Sequence, residues 1–230
     1  MKCLFRIADY EVYRFSMPVI FSNMYLVPVG DCCLVVDPMI SRQAERLLKE
    51  RRIENCTILL THEHFDHISG VNRLRELLPC QVICSQVCAE RIVDPRKNAA
   101  AYFEAMFLGR EKAVRKWIDQ EVDPNYSCQA DQTYTDQMDM RWMDFTIRLR
   151  ETPGHSPGSQ VFEIGGHWYF TGDSWIPGQE IITRLPGGSK NSYEAVTCPY
   201  LERIAPGSIV YPGHGEESLY YYDSSREDNK

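Results

Sequence analysis

Ile58-Leu59-Leu60-Thr61-His62-Glu63-His64-Phe65-Asp66-His67 is the stretch that decides how this chain folds and where it works. Its first part extends the continuous apolar run from Thr57 to Thr61, the pattern of a strand buried on both faces of a sheet. The second part sets His62, His64, Asp66 and His67 at the end of that strand, which is where α/β sheets place their sites. Imidazole nitrogens and carboxylate oxygens suit zinc or iron. A tight loop points alternate side chains in different directions, so one segment can serve two ions. Three of the chain's 6 histidines fall within these few positions, which argues against a chance cluster on a solvated surface.

Around that strand the sequence alternates between elements. Asn23 to Val29 and Cys32 to Val36 are strand-like and joined by the turn residues Gly30-Asp31, which predicts a hairpin. Ser41 can cap a helix over 42–52, with Ala44, Leu47 and Leu48 on one apolar face. After the histidine loop a helix is expected over 69–78, stopped by Pro79, and then a strand over 81–85. This succession of strands and helices favours a layered α/β arrangement.

Further on, 99–120 is the longest helical pattern, with Tyr102, Phe103, Met106, Phe107, Val114, Trp117 and Ile118 apolar and Gly109 its weak point. It reads either as a core-facing helix or as a lid over a nearby site. The acidic stretch 123–139, poor in large aliphatics, reads as a surface connection. Strands are expected at 142–150, 160–164 and 167–170, the last two separated by the hairpin pair Gly165-Gly166. With no repeat, linker or low-complexity stretch, residues 1–223 read as one domain and 224–230 as a frayed tail.

Two more histidines lie in Gly/Pro turns just after strands: His155 in Thr152-Pro153-Gly154-His155-Ser156-Pro157-Gly158, and His214 in Tyr211-Pro212-Gly213-His214-Gly215. Asp173 follows the strand at 167–170 in the same way, and His167, inside that strand, reads as structural or surface-lying. Gly154 to Gly158 formally matches the Gly-x-Ser-x-Gly of serine hydrolases. That mechanism needs a backbone N–H on the residue after the serine, and Pro157 has none. Ser156 is therefore not expected to be a nucleophile.

Composition narrows the function classes. Lys+Arg number 25 against 32 Asp+Glu, a net charge of −7, so neither nucleic acid nor an anionic membrane is expected as a partner. No apolar run reaches the length of a membrane span, and Arg6 and Asp9 interrupt the start where a signal peptide needs an uncharged core, which predicts a cytoplasmic protein. The 9 cysteines lack any Cys-x-x-Cys pair, and Cys80, Cys84 and Cys88 would scatter over different faces. Reduced, mostly buried thiols are expected.

The ordered blocks His-x-His-x-Asp-His, Pro-Gly-His, Gly-Asp and Pro-Gly-His, spread over roughly residues 20–215, resemble those of the metallo-β-lactamase-fold hydrolase superfamily. The resemblance implies an αβ/βα four-layer sandwich, two mixed β-sheets flanked by helices. It implies that His62, His64 and His155 hold a first metal, that Asp66, His67 and His214 hold a second, and that Asp173 bridges the pair. Two divalent ions are thus expected, zinc first, with iron or manganese as the other choices. Asp66 and Asp173 would be the catalytic residues that orient the attacking water and receive its proton. Glu63 is no ligand in the motif and reads as backing the ligands or as exposed.

Within the superfamily the pattern is most similar to glyoxalase II and its relatives, which hydrolyse thioesters or lactones, so a small acyl substrate is expected. β-Lactamases of this fold put a cysteine near the position of Asp173 or lack the bridging aspartate, which disfavours antibiotic hydrolysis. Nucleic-acid-processing members bring extra domains or basic arms, flavodiiron members bring a flavin domain, and glyoxalase II has a C-terminal helical region that helps bind glutathione. None of these has a counterpart in this sequence. The alternatives of the same fold are a phosphodiesterase and a mononuclear-iron enzyme resembling persulfide dioxygenases. Oligomeric state is not legible.

Overall fold

Thr57 to Leu59 do form a buried strand, the fifth of a sheet whose members lie in chain order. In the computed structural model, which describes residues 3–107, 109 and 111–220, this sheet comprises β1 (Cys3–Ile7), β2 (Tyr10–Ser16), β3 (Asn23–Val29), β4 (Cys32–Val36), β5 (Asn55–Leu59), β6 (Cys80–Ser85) and β7 (Gln132–Tyr134). The first four strands pair antiparallel, and β4 to β7 pair parallel. The second sheet runs β13 (Ser218–Leu219), β12 (Ile209–Pro212), β11 (Trp168–Gly172), β10 (Gln160–Ile164), β9 (Phe145–Glu151) and β8 (Gln137–Trp142). Only β11 and β12 are parallel there, so this sheet is also mixed. The expected tail at 224–230 lies outside the described residues.

Side-chain alternation along the strands builds three apolar layers. Tyr25, Leu34, Val36, Leu59 and Ile83 of the first sheet meet Ile147, Leu149, Phe162, Phe170 and Tyr211 of the second. The opposite face of the first sheet, with Leu26, Val35, Ile58 and Val82, is covered by Leu47 and Leu48 of α1 (Arg42–Glu50) and by helical residues further along the chain. Val161, Tyr169 and Val210 on the outer face of the second sheet pack on Leu201 and Ile204. Burying each such aliphatic side chain contributes roughly 1.5–3 kcal/mol, which favours this register over one shifted by a residue. The result is the expected sandwich of two mixed sheets flanked by helices.

Local expectations are met where strong signals exist. Ser41 Oγ accepts from Ala44 N at 3.3 Å, and α1 buries Ala44, Leu47 and Leu48. Gly165 and Gly166 both take positive φ, +59° and +74°, as the tight turn from β10 to β11 requires. The helix expected at 69–78 is α3 (Val71–Leu77), and a short helix that was not expected, α2 (Phe65–Ile68), precedes it within the histidine loop.

Three expectations need correction. The strand expected at 142–150 is a hairpin: Met143 takes φ +50° and turns β8 into β9. The 123–139 connection contains β7 and the start of β8, whose mostly exposed or half-buried side chains carry no apolar signal. The 99–120 pattern is not one helix. After α4 (Gln86–Ile92) it becomes α5 (Ala100–Phe103), a 3₁₀ turn over Glu104–Phe107, and α6 (Lys112–Glu121). Phe103 and Phe107 are buried in the core, with the Phe103 ring edge-on to Phe65 at 5.0 Å between centroids. They pack behind the histidine loop as core residues, while Tyr102 and Met106 face solvent.

Free thiols are found at all eight cysteines outside the first five residues, with Cys33, Cys56, Cys84, Cys88 and Cys128 buried. Among the described residues no helix is long and apolar enough to cross a membrane.

Candidate metal centre

The histidine loop leaves the C-terminal end of β5, and its neighbour β4 ends in the same direction at Asp37. In the second sheet β9, β11 and β12 run parallel to one another, so the turns carrying His155, Asp173 and His214 emerge on one edge. Chain direction alone therefore gathers every expected ligand. His62 Nε2 and His155 Nε2 each lie 3.1 Å from His64 Nδ1. His67 Nε2 lies 3.4 Å from His214 Nε2 and 3.4 Å from Asp66 Oδ2, which is 3.5 Å from His214 Nε2. Asp173 stands between the two groups, its Oδ2 3.5 Å from His155 Nε2 and 3.4 Å from His214 Nε2.

In four of the five rings, the nitrogen that points away from the centre fixes which way the ring faces. His155 Nδ1 donates to the Ile182 carbonyl at 2.8 Å and His214 Nδ1 to the Ile20 carbonyl at 3.1 Å. His67 Nδ1 donates to Asp37 Oδ2 at 2.9 Å. Thr61 Oγ1 gives its proton to Asp37 and so can only accept from His62 Nδ1, 3.1 Å away. The Nε2 atoms of His62, His67, His155 and His214 in their neutral forms then converge as bare lone pairs. Lone pairs do not satisfy one another, and Asp173 Oδ1 is buried without a hydrogen-bond partner. A cation on each side of Asp173 fits this donor set, and outward hydrogen bonds of this kind are how metal-binding imidazoles are held.

Electrostatics supports the same reading. Burial, with His155 adding to it, pushes the His64 imidazole down to about 3, and burial likewise holds His62 well below its usual range. Both are neutral, ligand-ready rings at neutral pH. Burial works to raise the Asp66 carboxyl, but His67 and His214 outweigh it and bring it to about 2. Asp173 is held well below the usual carboxylate range by His214, His155 and His67 against the same burial. His67 is driven well above its usual range, against burial, by Asp66, Asp173 and Asp37, and His214 is raised by Asp173 and Asp66. A cation on that side must expel those protons. Metal uptake at pH 7 is therefore expected to release protons, and affinity to fall as pH drops through the raised range of His67. Calorimetry in two buffers of different ionisation enthalpy checks this; proton uptake on binding would contradict it.

All seven expected residues are brought together here. Not foreseen were Asp37 and Thr61, which hold His67 and His62, and the two carbonyls behind His155 and His214. Asp37 carried one readable signal, an aspartate at a strand end before a proline, as in Val36-Asp37-Pro38. Glu63 is not exposed: it is fully buried behind the ligands. Ser156 is buried and donates to Glu63 Oε2 at 2.8 Å, so it is no exposed nucleophile. His167 lies outside the group, its ring against Trp168.

A model of the metallo-beta-lactamase superfamily matches residues 17–214, the span that carries all these blocks. The chain belongs to that superfamily. It is 27% identical to the probable metallo-hydrolase YqgX of Bacillus subtilis over 206 residues, 88% of this chain and 90% of that one. It is 28% identical to the mitochondrial persulfide dioxygenase of Homo sapiens over 190 residues, covering 79% of this chain but 58% of that protein. Among solved structures, the BLEG-1 B3 metallo-beta-lactamase superposes with a TM-score of 0.74 at 25% identity, over 90% of this chain and 93% of that one. TTHA1623 in a di-iron-bound form superposes with a TM-score of 0.69, also at 25% identity, over 90% of this chain and 94% of that one.

Proposed function

We propose that this member of the metallo-beta-lactamase superfamily is a two-metal hydrolase that cleaves a small thioester, ester or lactone. The observation that carries the reading is the placement of Asp173, whose Oδ2 lies within 3.5 Å of both His155 Nε2 and His214 Nε2. His62, His64 and His155 would hold one divalent ion and Asp66, His67 and His214 the other, with Asp173 shared. Zinc suits the donors best, and the di-iron relative keeps iron in view. Such ions supply Lewis acidity and a water of near-neutral pKa.

The chain's own residues do the rest. Asp66 and Asp173, both anionic at neutral pH, orient the attacking water by its protons and balance cationic charge. The outward hydrogen bonds to Asp37, Thr61, Ile20 and Ile182 keep the rings from turning as charge develops. A thiolate is a good leaving group and departs without a dedicated acid. That suits a site whose remaining histidine, His167, sits elsewhere.

Two carboxylates in the centre disfavour the extra negative charge of a phosphoryl transition state relative to a singly charged tetrahedral one. Metal-replete protein is accordingly expected to turn over an activated thioester or lactone faster than a β-lactam or a bis-aryl phosphodiester. Phosphodiester turnover tenfold above that of the acyl substrates, or preferred β-lactam turnover, would overturn this ordering. The likeness to a persulfide dioxygenase favours mononuclear iron as the second reading; the complete Asp66, His67 and His214 group weighs against it.

A further inference from the structure

We propose that the buried Glu63 and Ser156, with the half-buried Arg91, form a strap that sets the spacing of the three-histidine half of the centre, making them positioning residues for the ion held there. This rests on the metal reading of that half and on no particular substrate.

Glu63 lies between His62 and His64, and its side chain turns away from the ligands into the protein. There it is fully buried, a costly place for a carboxylate unless it is paired. Oε1 accepts from Arg91 Nε on α4, and Oε2 accepts from the Ser156 hydroxyl at 2.8 Å. Ser156 follows His155 directly in the chain. One carboxylate therefore ties the loop carrying His62 and His64 to the loop carrying His155, immediately behind the 3.1 Å approach of His64 Nδ1 to His155 Nε2.

The strap has no slack. A Cβ on Gly158 would lie 2.5 Å from Glu63 Oε2 and 2.7 Å from the Cys88 Cα of α4, so the carboxylate is clamped against backbone. Ser156 is fixed in turn by Ser159, whose Oγ accepts from Ser156 N at 3.1 Å and lies 2.9 Å from Ser156 Oγ. Arg91 Nη2 donates to the Lys97 carbonyl at 3.3 Å. It also sits where a Cβ on Gly187 would come within 2.8 Å, bracing the loop that supplies the Ile182 carbonyl to His155. The metal-ligand segments that the strap joins are those of the three-histidine half, through Glu63 beside His62 and His64 and Ser156 beside His155; the hydrogen bonds behind His67 and His214 come from Asp37 and Ile20 instead.

Cobalt(II) titration of the full chain separates positioning from plain structural support, because its visible spectrum reports ligand geometry and its binding isotherm reports affinity at each half. Ser156→Ala is expected to weaken one of two cobalt sites by roughly 10–100-fold and alter its spectrum, and to leave the other unchanged. Ser156→Thr, which keeps the hydroxyl, is expected to restore both. Glu63→Gln should reproduce the Ser156→Ala change and exceed it. The melting temperature of each chelator-treated variant shows whether it is folded. Folded Ser156→Ala protein with native cobalt affinity and spectrum would overturn the strap, as would a Glu63→Gln variant that loses stability with its cobalt sites unaltered. A parent chain that binds no cobalt would instead overturn the metal reading itself.

Discussion

Replacing Asp173 by asparagine is expected to lower kcat by at least about a hundredfold and to strip one ion from the centre. The side chains are isosteric, so the effect isolates charge. Asp173 Oδ2 approaches His155 Nε2 and His214 Nε2 equally, and Oδ1 is buried without a hydrogen bond. An amide offers only one oxygen to that position and turns an N–H toward the other half, and it removes the negative charge that offsets two cations. Turnover of the best acyl substrate and metal content by elemental analysis check the result together. An Asp173→Asn variant that kept both ions and worked within a few-fold of the parent would remove the bridging role.

Gly213→Ala is expected to be nearly as damaging although residue 213 carries no chemistry. A Cβ there would lie 2.1 Å from Asp173 Oδ1, 2.9 Å from the Gly172 carbonyl carbon and 2.9 Å from His67 Cε1. The backbone is pinned by Gly213 N donating to Gly172 O at 2.8 Å and by Asn23 N donating to Gly213 O at 2.7 Å. The methyl group must therefore move the Asp173 carboxylate rather than yield to it. Displacing a catalytic group by about 1 Å costs on the order of a hundredfold, whereas the overpacking itself costs about 1–3 kcal/mol of stability. A folded protein with poor activity and weak metal binding is the expected outcome, read by thermal melting beside kinetics. Native kinetics in folded Gly213→Ala protein would show that Asp173 is not held where the structure puts it.

Ligands were legible because their positions are encoded locally. Each lies in a Gly/Pro turn or loop directly after a strand, and the order of the four blocks resembles one superfamily. What the sequence could not carry was anything that depends on two segments meeting. Asp37 orients His67 only because β4 and β5 are parallel neighbours with aligned ends, and nothing near Asp37 in sequence signals that partnership. Glu63 looked exposed or supporting, and Ser156 looked like a false nucleophile; their shared hydrogen bond spans 93 positions and emerges only in the folded chain.

The fold divides along similar lines. Strands with an apolar face on each side, such as β3 to β6, were readable from burial patterning. β7 and β8 were not, because they lie toward the sheet edges with polar side chains and are held by pairing to β6 and β9. The 99–120 segment misled for a different reason. Its aromatic spacing is helical, but Ala99 takes φ +68°, and a 3₁₀ turn follows α5. Burial of Phe103 and Phe107, rather than backbone propensity, keeps that segment against the core.

Metal stoichiometry tests the central claim most directly. Protein stripped with chelator, titrated with zinc and freed of excess is expected to retain about two ions per chain, because seven imidazole and carboxylate ligands exceed what one tetrahedral site can use. Asp173→Asn protein treated identically is expected to retain about one. Saturation of the parent chain at a single ion would contradict the two-metal account and move the reading to a mononuclear enzyme of the same fold.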